Sequence, residues 1–113
     1  MPTVLVDAEN VRRSVWPNIG PDELVRRCGA WAAAEGHETV VVFDGPAPDI
    51  AELGVTVLGT GAESADDRLV RLAEETNGPV WLVTSDRELR SRVADLAENV
   101  IGGGSFAREL PPG

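Results

Sequence analysis

Four short apolar runs, each leading into an acid, dictate how this chain can fold. Val4-Leu5-Val6 ends on Asp7, and Val40-Val41-Val42-Phe43 ends on Asp44. Val55-Thr56-Val57-Leu58 passes through a Gly-rich turn into Ser64-Ala65-Asp66-Asp67, and Val80-Trp81-Leu82-Val83-Thr84-Ser85 ends on Asp86. Strands this continuously apolar are buried on both faces, which is the habit of parallel sheets covered by helices. In such a sheet the carboxyl ends of all strands lie along one edge, so the acids are expected to converge there.

The segments between the runs carry the helical period. Pro21 opens a helix whose Leu24, Val25, Cys28, Trp31 and Ala32 share one face, and Gly36 closes it. A second helix is expected from about Ser64 to Thr76, with Ala65, Leu69, Leu72, Ala73 and Thr76 inward. A third runs from about Asp86 to Ala97, with Leu89, Val93 and Leu96 inward. Asp7 to Gly20 reads as a loop with at most a short helical turn, and Pro48 to Leu53 as a short helix. Asn99 to Ile101 reads as a fifth strand, and Ser105 to Leu110 as a terminal helix. The order predicts an α/β fold, a three-layer α/β/α sandwich with a mostly parallel five-stranded sheet. With 113 residues and no linker or low-complexity run, residues 1–113 are expected to form one domain.

Several chemistries fall away on composition. Cys28 is the only cysteine and His37 the only histidine, so a Cys- or His-based zinc site and a Ser-His-Asp triad are disfavoured. Cys28 reads as core and His37, after the helix end, as exposed. Gly59-Thr60-Gly61 lacks the lysine and spacing of a phosphate-binding P-loop. No stretch has the length of a membrane span and no basic-then-apolar segment opens the chain, which predicts a soluble, cytoplasmic protein. The net charge is −9, and all ten basic residues are arginine.

Each acidic motif also has an ordinary structural reading. Asp7 and Asn10, after the first strand, are either a ligand with an orienting partner or turn residues bonding their own backbone. Ser64-x-x-Asp67 and Ser85-x-x-Glu88 both fit a helix capping box. Asp66 and Asp67 point about 100° apart on a helix, so one of the two is expected to face the edge while the other caps or assists. Asp44-Gly45 is also a turn dipeptide. The set argues more than its members, because all four signals follow strands and share one edge. Oxygen donors without nearby His or Cys suit hard cations, Mg²⁺ or Mn²⁺, and so metal-assisted hydrolysis. Trp16, beside Pro17, reads as a loop anchor, with stacking on a base as the alternative.

The segments Val6-Asp7-x-x-Asn10, Val42-Phe43-Asp44-Gly45, Gly61-x-Glu63-Ser64-Ala65-Asp66-Asp67 and Val83-Thr84-Ser85-Asp86-Arg87 resemble the YacP-like branch of the NYN domains, in the PIN-like superfamily of metal-dependent ribonucleases. The resemblance runs from Val4 to about Leu110. It implies sheet order 3-2-1-4-5 and a divalent metal held by Asp7, Asp67 and Asp86, with Asp66 as a further ligand or orienter. Asn10 and Ser85 would support the site or substrate. The implied activity is endoribonucleolytic hydrolysis of messenger, transfer or ribosomal RNA by metal-activated water, leaving a 5′-phosphate and a 3′-hydroxyl, with ribosome association as an option.

Charge runs against that expectation, since −9 repels a polyanion. Arg12, Arg13, Arg87 and Arg90 flank the first and last motifs. They form either a basic rim, with Arg12 and Arg87 touching substrate, or ion pairs with neighbouring Glu residues. A non-catalytic RNA- or ribosome-binding module on the same scaffold is the alternative function. A Toprim- or phosphatase-like site is disfavoured by the missing Asp-x-Asp pairing and the missing lysine.

Overall fold

A computed structural model describes residues 1–112. Five parallel strands, β1 (Thr3–Asp7), β2 (Glu38–Val42), β3 (Val55–Leu58), β4 (Val80–Val83) and β5 (Asn99–Ile101), form one sheet in the order β3-β2-β1-β4-β5. Six of the residues flanking the centre, Val4, Leu5, Val6, Val41, Leu82 and Val83, are almost wholly shielded from water. Their continuous apolar sequence is therefore explained by burial on both faces.

Side chains alternate across the sheet, and each face has its own core. Val4 and Val6 pack with Val41 and Phe43 against α1 (Ala8–Arg13), α2 (Pro21–Glu35) and α5 (Gly103–Glu109) through Val11, Leu24, Cys28, Trp31 and Phe106. Leu5 packs on the opposite face with Val40, Val42 and Leu82 against α3 (Ala65–Glu75) and α4 (Arg87–Val93) through Leu69, Ala73, Leu89 and Val93. The helices change face where the sheet reverses its direction of growth, between β1 and β4. That switch point opens a crevice at the carboxyl ends of those two strands.

Local departures from the sequence expectation have clear causes. Residues 8–13 form a helix, α1, because Ala8 and Val11 are buried and hold its inner face to the sheet. Residues 48–53 form no helix; an isolated bridge between Glu52 and Val55 takes that segment into β3. α4 stops at Val93, and Leu96, in the turn beyond it, is 41% exposed rather than inward. His37 is half-buried between Trp31 and Trp81, with ring centroids 5.6 and 4.8 Å away, so the aromatic side chains shelter a residue expected in solvent. Cys28 is core as expected, and burial pushes its thiol up to about 12. Gly59 is required by close packing, since a Cβ there would stand 2.7 Å from the Gly45 carbonyl and 2.8 Å from the Ala47 nitrogen. The adjacent Thr60 accepts the Gly45 amide through Oγ1 (2.8 Å) and fixes the turn that carries Asp44. No helix among the described residues is long and apolar enough to cross a membrane.

Candidate functional site

The crevice is a cleft of about 510 Å³ walled by Asp7, Asp44, Asp66 and Asp86, with Asn10, Ser85 and Arg13 on its rim. Asp7 is the last residue of β1 and lies 6% exposed, a charged group at the mouth of an apolar sheet. Thr84, fully buried after β4, bridges two of the acids. Its hydroxyl donates to Asp7 Oδ2 (2.8 Å) and accepts the Asp86 amide (3.1 Å).

Each remaining acid has a structural bond as well as a cleft position. Asp86 Oδ1 accepts the Leu89 amide (2.9 Å) and caps α4. Asp44 Oδ1 accepts the Ala65 amide (3.1 Å) at the start of α3. Ser64 caps the same helix by accepting the Asp67 amide (3.1 Å), as its sequence pattern predicts. Ser85 was the expected cap of α4, but Asp86 takes that place. Ser85 Oγ is thereby free to accept the Gly103 amide (2.8 Å), while its own amide donates to Asn10 Oδ1 (2.9 Å).

The adjacent pair Asp66 and Asp67 is divided in the opposite sense to the expectation. Asp66 walls the cleft. Asp67 points to Arg92, which donates to its Oδ1 at 2.8 Å, and it does not line the cleft. The reason is the angular step between neighbours on a helix, combined with an arginine waiting on α4. Arg12 shows the ion-pair alternative of its two expected roles. It donates to both Glu9 carboxylate oxygens (2.7 and 3.0 Å) and to the Ile19 carbonyl (2.8 Å), which makes it a brace for the 14–20 loop. Arg87 is exposed and lies outside the cleft wall. Arg13 is the cation that does reach the wall, with its side chain 72% exposed.

The electrostatics are those of a crowded anion site. Burial pushes the Asp7 carboxyl above its usual 3.8; the Thr84 hydroxyl opposes this, Asp66 adds to it, the Asn10 amide opposes it and Asp86 adds again. Burial likewise raises Asp66; Asp86 adds to the shift, Arg92 opposes it, and Asp44 and Glu88 add to it. Asp7, Asp44, Asp66 and Asp86 thus crowd one cleft. The donors are all oxygens, which fits Mg²⁺ or Mn²⁺. Among the described residues no three acidic, His or Cys side chains close a metal cage by themselves. The donor set therefore fits an ion held by one or two carboxylates, with water and substrate phosphate completing its shell.

Two positions that sequence alone passed over complete the site. Thr84 looked like the end of a strand, and only the β1–β4 pairing shows what its hydroxyl reaches. Gly103 is the middle of three consecutive glycines. A Cβ on it would stand 2.2 Å from Asn10 Oδ1 and 3.3 Å from Asn10 Cγ, so α5 can approach only with glycine there. Gly103→Ala is expected to displace the Asn10 carboxamide from the Ser85 amide and to destabilise the protein by about 1–3 kcal/mol in urea unfolding. Gly104→Ala, whose Cβ meets the flexible end of Arg108 and, at an ordinary 3.9 Å, Ser14 Cβ, is the control and is expected to be neutral or stabilising.

No protein-family model matches the chain, and no curated protein sequence matches it. Solved structures do. The crystal structure of Rae1 (YacP) from Bacillus subtilis superposes with a TM-score of 0.80 at 23% identity, over 96% of this chain and 73% of that one. A tryptophan-to-leucine mutant of the same protein gives 0.79 at 24% identity, over 96% and 74%. The fold is YacP-like. Sheet order 3-2-1-4-5, expected from the motif resemblance, is the observed order.

Proposed function

We propose that this chain is a Mg²⁺- or Mn²⁺-dependent endoribonuclease of the cytoplasm. The observation that carries the reading is the convergence of Asp7, Asp44, Asp66 and Asp86 on one cleft, where burial first and neighbouring carboxylates second raise Asp7 and Asp66. Crowding of like charges in a half-buried cleft is unfavourable to folding and is relieved by a bound cation. The YacP-like fold and the Ser-Ala-Asp-Asp and Thr-Ser-Asp-Arg motifs support RNA as the substrate class, with messenger, transfer or ribosomal RNA and the ribosome as partners.

One or two of Asp7, Asp66 and Asp86 would hold the ion directly and the rest through water, with Asp44 at the edge of the same cleft. A divalent cation bound there supplies neutralisation of the phosphodiester charge and a lowered pKa for water. Thr84 keeps Asp7 and Asp86 in fixed relation, because one hydroxyl bonds both. Asn10 and Ser85 hold the rim through the amide and hydroxyl bonds that tie α1, β4 and α5 together. Arg13 offers the cleft a cation for a substrate phosphate without neutralising the acids, since its nearest carboxylate, Glu9, stands 3.9 Å away and is already taken by Arg12.

Titration calorimetry with Mn²⁺ tests the reading together with cleavage of mixed RNA. Mn²⁺ is expected to bind the wild-type protein, and a chelator is expected to abolish cleavage. The lack of a closed metal cage among the described residues favours a second reading, a non-catalytic RNA- or ribosome-binding module. RNA binding with no Mn²⁺ heat and no chelator-sensitive cleavage would establish that module instead.

A further inference from the structure

Trp16 is 90% exposed at the crest of the 14–20 loop. A tryptophan buries on the order of 150–250 Å² when it serves as an anchor, so one left in water is not holding its loop. The loop has other anchors. Ile19 is 3% exposed, Arg12 and Ile19 exchange two bonds (2.8 and 3.1 Å), and Ser14 Oγ donates to the Val11 carbonyl (2.6 Å). The crest therefore presents a rigidly mounted indole that the fold does not use. Two and three residues before Trp16 in the chain, Ser14 and Arg13 line the cleft. Arg108 joins the same rim: a Cβ on Gly104 would lie 3.4 Å from its guanidinium and 3.9 Å from Ser14 Cβ. Among the described residues Arg108 has no carboxylate partner.

We infer that Trp16 is a stacking platform for one base of a single-stranded RNA whose adjoining phosphates meet Arg13 and Arg108 on the way into the acidic cleft. The inference rests on the ribonuclease reading and adds to it the strand state of the substrate and the side from which it enters. An aromatic face beside paired cations is the recurrent arrangement for sequence-tolerant single-strand binding. It also answers the charge objection, because a stack contributes affinity that does not depend on net charge.

The test is anisotropy of a short fluorescein-labelled oligouridylate with phosphorothioate linkages, in Mg²⁺, against wild type, Trp16→Ala and Trp16→Phe. Trp16→Ala is expected to weaken binding roughly 5- to 100-fold, the loss carried by one base–aromatic stack. Trp16→Phe keeps a ring and is expected to stay within about threefold of wild type. Quenching of intrinsic fluorescence by the oligonucleotide should vanish in both variants, because Trp31 is buried and Trp81 half-buried. Thermal midpoints should be unchanged, and KM for single-stranded substrate should rise in Trp16→Ala while kcat holds. Wild-type affinity in Trp16→Ala overturns the platform and leaves the ribonuclease reading standing. The same result with Trp16-dependent self-association in sedimentation assigns the indole to a contact between copies instead. No oligonucleotide binding by the wild-type protein overturns the inference together with the reading beneath it.

Discussion

Asp66→Asn is expected to lower metal-dependent RNA cleavage by about 100-fold or more, the effect of removing a few kcal/mol of electrostatic support from a metal-assisted step. Asp67→Asn is expected to stay within about threefold of wild type, because an exposed ion pair contributes at most about 1 kcal/mol. The contrast follows from geometry alone. The two aspartates are adjacent and chemically identical, yet Asp66 lines the cleft while Asp67 is bonded to Arg92. Stability should move the other way for Asp66. Replacing it removes a carboxyl that burial and then Asp86 have raised, so the metal-free variant is expected to melt above wild type. Measuring kcat/KM and thermal midpoint on both variants checks the pair of outcomes. Equal loss of cleavage in the two would sink the assignment of Asp66 to the site.

Acidifying the metal-free protein from neutral pH is expected to raise its thermal midpoint before stronger acid lowers it. Asp7 and Asp66 are both raised above 3.8, by burial first in each case. A carboxyl with a raised folded-state pKa binds its proton more tightly when folded. Its stabilising contribution is complete below the unfolded value near 3.8 and is lost as pH climbs through the folded value. Shrinking the −9 charge acts in the same direction. In still stronger acid Glu63, whose carboxyl is held below its usual value, against desolvation, by Arg71 and Arg68, is protonated and the midpoint falls. Saturating Mn²⁺ should reverse the neutral end of the curve. A ligand at a hundred times its Kd stabilises by about 2.7 kcal/mol, and protons compete with it as pH drops. Asp7→Asn, whose amide oxygen can still accept from Thr84, should match or exceed the wild-type midpoint without metal, lose the response to Mn²⁺ and lose cleavage. A midpoint that falls steadily from neutral pH in the metal-free wild type would contradict the crowded-acid account.

Much of the site's location was readable before any coordinates. Asp7, Asp44 and Asp86 follow strands whose apolar continuity marks them as parallel, and parallel strands share a carboxyl edge. Ser64 was readable as a cap because the Asp67 amide it accepts lies in its own helical turn. Several of the departures at the site concern partners outside the local turn. Arg12 takes the ion-pair alternative with Glu9, and its loop folds back to bring the Ile19 carbonyl to it as well. Ser85 was given to capping, but α5 brings the Gly103 amide to its hydroxyl. Trp16 was read as an anchor because tryptophans usually are, and only the packed loop shows that Ile19 has that task.

Sequence by itself determined the fold class, the strand positions and the edge where the acids collect, because these depend on periodicity and on the fixed direction of a parallel strand. Tertiary structure alone decided which aspartate of a pair faces the cleft, which arginine remains available to it and which glycine lets α5 close on Asn10. Those choices turn on separations of a few ångströms between segments as far apart as Asp7 and Thr84 or Asp67 and Arg92. Local sequence sets where a side chain begins, and packing decides what it meets.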